Sequence, residues 1–337
     1  MDNILLIDAD SKIPNLALMK ISTYYRDRGH NITLWRFGFS GYNRGRKGRK
    51  TITAAKYDKV FVSVIFRCNR DIIKVVSCDH VDIGGSGYDI KKKLPPEIDC
   101  CPPDYSIYPE NRTSYGFITR GCIRNCGFCI VPEKEGRIYK ETDLDSIIEH
   151  DRVEFLDNNI LAYRDHKAIL QRLIDKKIKC SFSQGLDIRL VDDENARLLS
   201  RIKHYIKPYT FAFDNISSAQ VLNDKLDILL KYIKSIYIRF YIYCSAEMDL
   251  STDVIPRIAW CKKNKCLPYL MRDDNCYQST KKGFYADLAA WCNQPSFFKK
   301  MTFKEFLIKR GLRDDTLQKR LKILNDVWGY KKAGGVV

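Results

Sequence analysis

Gly121-Cys122-Ile123-Arg124-Asn125-Cys126-Gly127-Phe128-Cys129 sets three cysteines at C-x3-C-x2-C spacing inside one short loop. Their sulfurs can therefore converge on one metal centre without help from distant parts of the chain. An iron-sulfur cubane takes four cysteine ligands, one per iron, so three thiolates leave one iron open to a ligand that is not protein. The other reading of closely spaced cysteines is a zinc site, which needs a fourth ligand. The nearest following cysteine is Cys180 and the nearest histidine is His150, both far outside zinc-ligand spacing. Residues 115–119, Tyr-Gly-Phe-Ile-Thr, read as a short buried strand running straight into the loop, and Phe128 puts an aromatic ring just before the last cysteine.

The 13 cysteines are an odd number, scattered through 337 residues, too sparse for a disulfide scaffold. Reduced thiols and a reducing compartment are expected, and the chain reads as cytoplasmic. No stretch approaches the roughly eighteen apolar residues of a membrane span, and Met1-Asp2-Asn3-Ile4 lacks a basic leader region. The net charge of +17 is large for an enzyme acting on a small neutral molecule and points to a polyanionic partner. A basic surface kept for solubility is the plainer reading. Arg44-Gly45-Arg46-Lys47-Gly48-Arg49-Lys50, with Tyr42 before it, is the densest basic run and could follow a phosphate backbone or remain a solvated loop.

Toward the N-terminus, residues 3–7 form an apolar run closed by Asp8, residues 16–25 carry apolar side chains at helical spacing, and residues 32–35 return to a strand pattern. Residues 57–66 give another buried strand, and residues 71–76 read as the start of a helix. This opening predicts a small parallel-sheet domain. Gly84-Gly85-Ser86-Gly87-Tyr88, Pro95-Pro96 and Cys101-Pro102-Pro103 mark a Gly/Pro-rich connection.

Beyond it, strand-like runs recur at residues 115–119, 153–156, 179–183, 209–213, 236–243 and 267–271, with helical patterns between them. That is the rhythm of a β/α barrel with six repeats, and in such barrels chemistry collects at the carboxyl ends of the strands. The residues there are Asp157-Asn158-Asn159, Gln184 with Asp187 and Arg189, Asp214-Asn215, Cys244-Ser245, and Arg272-Asp273-Asp274. Each Asp or Asn among them is also a favoured helix cap, and a lone cysteine such as Cys244 is often a small buried residue. Residues 285–291 and 303–328 read as helical, and 331–337 as a frayed tail.

The cysteine loop, the Gly-Gly-x-Gly-Tyr linker followed by Leu94-Pro95-Pro96, and the opening segment Ile13-Pro14-Asn15-Leu16-Ala17-Leu18-Met19-Lys20 with Gly29-His30 resemble radical S-adenosylmethionine (radical SAM) enzymes. The branch resembled is the one with an N-terminal cobalamin-binding-like domain. The resemblance implies an α/β chain: a shortened Rossmann-like domain over 1–83, a linker over 84–113, a partial (β/α)6 radical SAM barrel over 114–280 and a helical extension over 281–337. It implies that Cys122, Cys126 and Cys129 hold a [4Fe-4S] cluster whose open iron chelates the amino and carboxylate groups of SAM, with Phe128 near the adenine. Asp157 and Asn158 stand where the family grips the SAM amino group, although its Gly-Gly-Glu form is absent. Gln184, Asp187 and Arg189 are placed to reach ribose hydroxyls or the SAM carboxylate. Cys244 is a candidate hydrogen-atom donor to a substrate radical.

By the same resemblance, SAM is cleaved reductively to a 5′-deoxyadenosyl radical that attacks a C–H bond, with electrons from a donor such as flavodoxin or ferredoxin. The Asp-x-His-x-x-Gly pattern that gives a histidine to cobalt is missing, so cobalamin is not favoured, although some relatives bind it without that histidine and it stays an open alternative. A base in tRNA or DNA is the first substrate expectation, on the charge and the basic run. The alternatives are a peptide or small metabolite, and a non-catalytic metal-containing protein that binds nucleic acid. A methylthiotransferase is disfavoured, because Cys68, Cys78, Cys100 and Cys101 do not form the second cysteine triplet that those enzymes carry.

Overall fold

Asn3–Asp8 (β1) buries Ile4, Leu5, Leu6 and Ile7 completely, so both of its faces are covered. The structure, a computed structural model, describes residues 1–38, 49–206 and 208–328; Tyr42, the basic residues 44–48 and the tail 331–337 lie outside the described residues. The chain divides into two compact units, Met1–Val153 and Glu154–Val337. Both are mixed α/β with parallel strand pairing.

In the first unit β1 is followed by helix α1 (Leu16–Arg26), β2 (Asn31–Arg36), β3 (Lys50–Thr53), β4 (Lys59–Ser63), β5 (Ile73–Val76) and β6 (Val81–Gly84). The main sheet has the order β2-β1-β4-β6, all parallel. Alternation along β1 sends Ile4 and Leu6 toward Leu18 and Ile21 of α1, and Leu5 and Ile7 toward Ile52, Ala54, Tyr57 and Ile73. Residues 71–76, expected to begin a helix, instead form β5, parallel to β3. Their β-branched Ile72, Ile73 and Val75 pack against the second face of the sheet, and that contact decides the conformation.

The expected strand at 115–119 is split into β7 (Ser114–Gly116) and β8 (Thr119–Arg120). The break lies where the chain changes partner: Thr119 and Arg120 pair antiparallel with β9 (Tyr139–Lys140). β10 (Arg152–Phe155) carries the division between the units.

The second unit continues through α2 (His166–Asp175), β11 (Lys179–Phe182), α3 (Asp193–Arg201), β12 (Lys203–His204), β13 (Tyr209–Ala212), α4 (Ala219–Leu230), β14 (Ile238–Cys244), α5 (Ile255–Lys263) and β15 (Leu267–Arg272). It ends in α6 (Lys282–Cys292), α7 (Phe303–Lys309) and α8 (Asp314–Trp328). The helical pattern expected over 303–328 is thus broken, at Gly311, whose φ of +66° suits a helix-terminating glycine. β13, β14 and β15 form a parallel sheet in chain order. Leu186, just past β11, bridges in parallel to Phe211 of β13, with Leu186 N–H donating to the Thr210 carbonyl at 2.8 Å. No helix among the described residues is long and apolar enough to cross a membrane.

Candidate functional site

Gly121 opens the cysteine loop with φ +78°, and a Cβ there would lie 2.3 Å from the Arg137 carbonyl oxygen. Only glycine lets the two backbones meet so closely. Cys122 N–H then donates to the Gly136 carbonyl at 3.1 Å, and Gly121 N–H to Glu135 Oε2 at 3.2 Å. Arg120 bridges Glu135 and Glu141 at 3.2 and 2.9 Å, which ties the β8–β9 flank to the loop base. The sequence between the cysteines is therefore held at its root while its tip faces outward.

All three cysteines are half-buried, and Phe128 is exposed. The Arg124 N–H points to Cys122 Sγ at 3.3 Å, the Val131 N–H points to Cys129 Sγ at 3.5 Å, and the Cys129 N–H donates to the Cys126 carbonyl at 2.9 Å. Backbone donors thus face two of the three sulfurs, the atoms that would ligate a metal. None of the 13 cysteines is in a disulfide. Among the described residues, no group of three or more His, Cys, Asp or Glu side chains is gathered to hold a metal ion. A single zinc requires its ligands at about 2.0–2.3 Å from one point, whereas a cluster takes one thiolate per iron at separate corners. Three cysteine thiols on one loop are the donor type that an iron-sulfur cluster takes.

In the second unit the polar residues stand at strand ends. Asp157 and Asn159 are buried and Asn158 half-buried, just past β10. Gln184 is exposed. Asp187 is 5% exposed; Arg189 grips it with Nε on Oδ1 at 2.7 Å and NH2 on Oδ2 at 3.1 Å, and the Arg189 N–H also reaches Oδ1 at 3.2 Å. Asp187 is thus both a turn cap and an ion-pair partner. Asn215 accepts from Ser217 N–H at 2.8 Å and is a cap, whereas Asp214 is not. Burial raises the Asp214 carboxyl above its ordinary range; Arg257 and Arg189 pull it down, and Asp187 pushes it further up. Arg257, Arg189 and Asp187 thus all act electrostatically on Asp214.

Arg257, on α5, went unnoticed in the sequence. It is wholly buried: NH1 donates to the Phe213 carbonyl at 2.7 Å, NH2 to the Tyr243 carbonyl at 2.9 Å, and the guanidinium pairs with Asp253. It pins the carboxyl ends of two neighbouring parallel strands. The signal was present, because Val254, Ile258 and Cys261 mark the apolar face of α5 and Arg257 falls on that face. Cys244 has no exposed surface; its sulfur lies 3.9 Å from Cys276 Sγ, and the Cys276 thiol donates to the Cys244 carbonyl at 3.2 Å. The contact with Cys244 and burial both push the Cys276 thiol up.

The first unit has its own polar cluster. Strand order reverses between β1 and β4, and the crevice beyond the carboxyl ends of strands at such a point is where open α/β sheets bind ligands. Here Asp10 accepts the N–H groups of Ile65 and Phe66 at 2.7 and 3.0 Å and Asn69 Nδ2 at 3.0 Å. Asp8 accepts Ser11 N–H at 3.0 Å and the Tyr108 hydroxyl at 2.9 Å, while Asn15 donates to Ser11 Oγ and Ser63 Oγ. The crevice is filled by the chain's own buried side chains. Of the basic run, Arg49 and Lys50 are described: Arg49 donates to the Asp71 carbonyl at 3.2 Å, and Lys50 stands 4.2 Å from the Phe37 ring centre.

The chain matches no protein-family model, and comparison with curated proteins finds no match.

Proposed function

We propose that the chain is a radical SAM enzyme whose [4Fe-4S] cluster is held by Cys122, Cys126 and Cys129, and whose substrate is a base in tRNA or DNA. The observation that carries the reading is the loop itself: three half-buried cysteines on one glycine-rooted turn, two of them receiving backbone N–H groups at sulfur. On this reading the first sheet is the shortened Rossmann-like domain and the later parallel strands belong to the partial barrel.

A [4Fe-4S] cluster would be held by Cys122, Cys126 and Cys129 and would supply one-electron chemistry for the reductive cleavage of SAM. The residues of the chain have separate tasks. The loop backbone directs N–H groups at the sulfurs of Cys122 and Cys129, and Gly121 fixes where the loop leaves the β8–β9 pair. Asp187 holds the Arg189 guanidinium in a planar, two-point grip, which orients it for a carboxylate or ribose group. Arg257 sets the relative height of the strand ends from which Asp214 projects. Cobalamin is not part of the proposal, which rests on the cysteine loop alone. The charge of +17 supports a polyanionic substrate, and a one-electron donor protein is required to reduce the cluster.

Anaerobic reconstitution with iron and sulfide tests the cluster assignment. About four irons per chain are expected, falling sharply in Cys122→Ala, Cys126→Ala and Cys129→Ala. Zinc retained in place of iron, or iron content indifferent to these substitutions, would overturn it.

A further inference from the structure

β14 alternates strictly. Ile238, Phe240, Ile242 and Cys244 are buried, with Phe240 5.1 Å from the Trp260 ring of α5, and Arg239, Tyr241 and Tyr243 are half-exposed on the opposite face. The register extends that second face sideways: Thr210 lies beside Arg239, and Ala212 and Tyr269 flank Tyr241. Parallel strands covered on both sides run continuously apolar. Here one face carries an arginine between tyrosines.

The geometry on this face is specific. The Arg239 guanidinium lies 5.8 Å from the Tyr241 ring centre and 5.4 Å from that of Tyr269. The two tyrosines meet edge to face at 5.5 Å. Arg239 Nε donates to Thr210 Oγ1 at 3.0 Å, and the Tyr241 hydroxyl donates to the Ser183 carbonyl at 3.0 Å, so both are fixed in place. Among the described residues, no carboxylate pairs with Arg239, and its terminal amino groups and the Tyr269 hydroxyl make no hydrogen bond. Tyr269 is 37% exposed. Glu154 acts electrostatically on the same Tyr241, but a half-buried cation with no carboxylate in direct contact, in a chain of net charge +17, can take an anionic partner.

We propose that this face is a stacking platform for an unpaired base of RNA. Tyr269 offers the ring, Arg239 offers two free amino groups to the base edge or the adjoining phosphate, and Tyr241 holds the pair in register. The assignment rests on the reading of the chain as acting on nucleic acid and names the form in which that substrate is received. RNA loops present bases already unstacked, and proteins take them on aromatic rings and guanidinium planes. Taking a base from a duplex costs unstacking energy, which a loop base already unstacked does not.

The test is fluorescence anisotropy of a labelled RNA hairpin with an unpaired loop, titrated with the full chain at several salt concentrations. The same sequence as a full duplex and as single-stranded DNA serves for comparison. Tyr269→Ala is expected to weaken hairpin binding by roughly 5- to 150-fold, the range for loss of one base-stacking ring, while Tyr269→Phe stays near wild type. Arg239→Met is expected to weaken binding and to reduce the salt slope by about one if the contact is to phosphate. Hairpin affinity unchanged in Tyr269→Ala, or wild-type preference for the duplex or for DNA, overturns the platform. Wild-type protein that cleaves SAM yet ignores RNA overturns the platform alone. Wild-type protein that binds the hairpin through Tyr269 without cleaving SAM upholds it while the enzymatic reading fails.

Discussion

Replacing Arg257 by methionine is expected to loosen the strand ends that carry Asp214 without changing the apolar packing around α5. The guanidinium is wholly buried and serves three acceptors at once: the carbonyls of Phe213 and Tyr243 and the carboxylate of Asp253. Methionine fills similar volume but donates nothing, so two backbone carbonyls and one carboxylate lose their partner together. Breaking a buried pair from one side costs about 3–5 kcal/mol. In a unit of this size each kcal/mol is worth roughly 2–4 °C, so the melting temperature should fall by about 6–20 °C. Asp214 provides a second readout, since losing the nearby cation should move its already raised carboxyl further up. Thermal unfolding followed by near-UV circular dichroism measures the first effect, and a pH series the second. Arg257→Lys, which keeps the charge but not the fork, should fall between wild type and Arg257→Met. A drop of less than about 2 °C in Arg257→Met would refute the argument, because it would mean that the buried guanidinium contributes no more than an average surface residue.

Other outcomes follow from single contacts. Gly121→Ala places a Cβ 2.3 Å from the Arg137 carbonyl at a φ that costs about 1–2 kcal/mol for a non-glycine residue; the loop should shift and iron incorporation should drop, as measured by iron content after reconstitution. Asp214 is protonated more readily in the folded chain than in the unfolded one, so its contribution is fully present below about pH 3.8 and is lost as pH rises through its folded value. Asp214→Asn should therefore be the more stable form at neutral pH, with the difference shrinking on acidification in denaturant titrations. Tyr108→Phe removes a 2.9 Å hydrogen bond to the buried Asp8, a contact to a charged group worth about 1.5–3 kcal/mol. Burial already raises Asp8, so the deficit of the variant should grow as pH rises and nearly close in acid.

The elements most legible in the sequence were those whose cause is local. Ile4 to Ile7 had to be covered on both faces, and the C-x3-C-x2-C triplet lies within one loop. The strands of the second unit fell within a few residues of the apolar runs. Residues 71–76 were misread because Ile72, Ile73, Val75 and Val76 suit either a helix face or a strand until the contact with β3 is known. The helix expected over 303–328 was overextended because apolar periodicity continues across Gly311, whereas the positive φ there ends one helix before the next begins. Arg257, Asp10 and the Arg239–Tyr269 platform were missed for a common reason. Each has a partner tens of residues away, such as Phe213 for Arg257, Ile65 for Asp10 and Tyr269 for Arg239, and a charged residue on a strand or helix is marked as functional only by what the fold sets beside it.

Anaerobic reconstitution with iron and sulfide, reduction with dithionite in the presence of SAM, and detection of 5′-deoxyadenosine by mass spectrometry test the central claim most directly. The account predicts that 5′-deoxyadenosine is released by the wild-type protein and is absent in Cys126→Ala. A reconstituted, iron-loaded protein that releases none under any reductant, or a Cys126→Ala variant that releases as much as wild type, would contradict it.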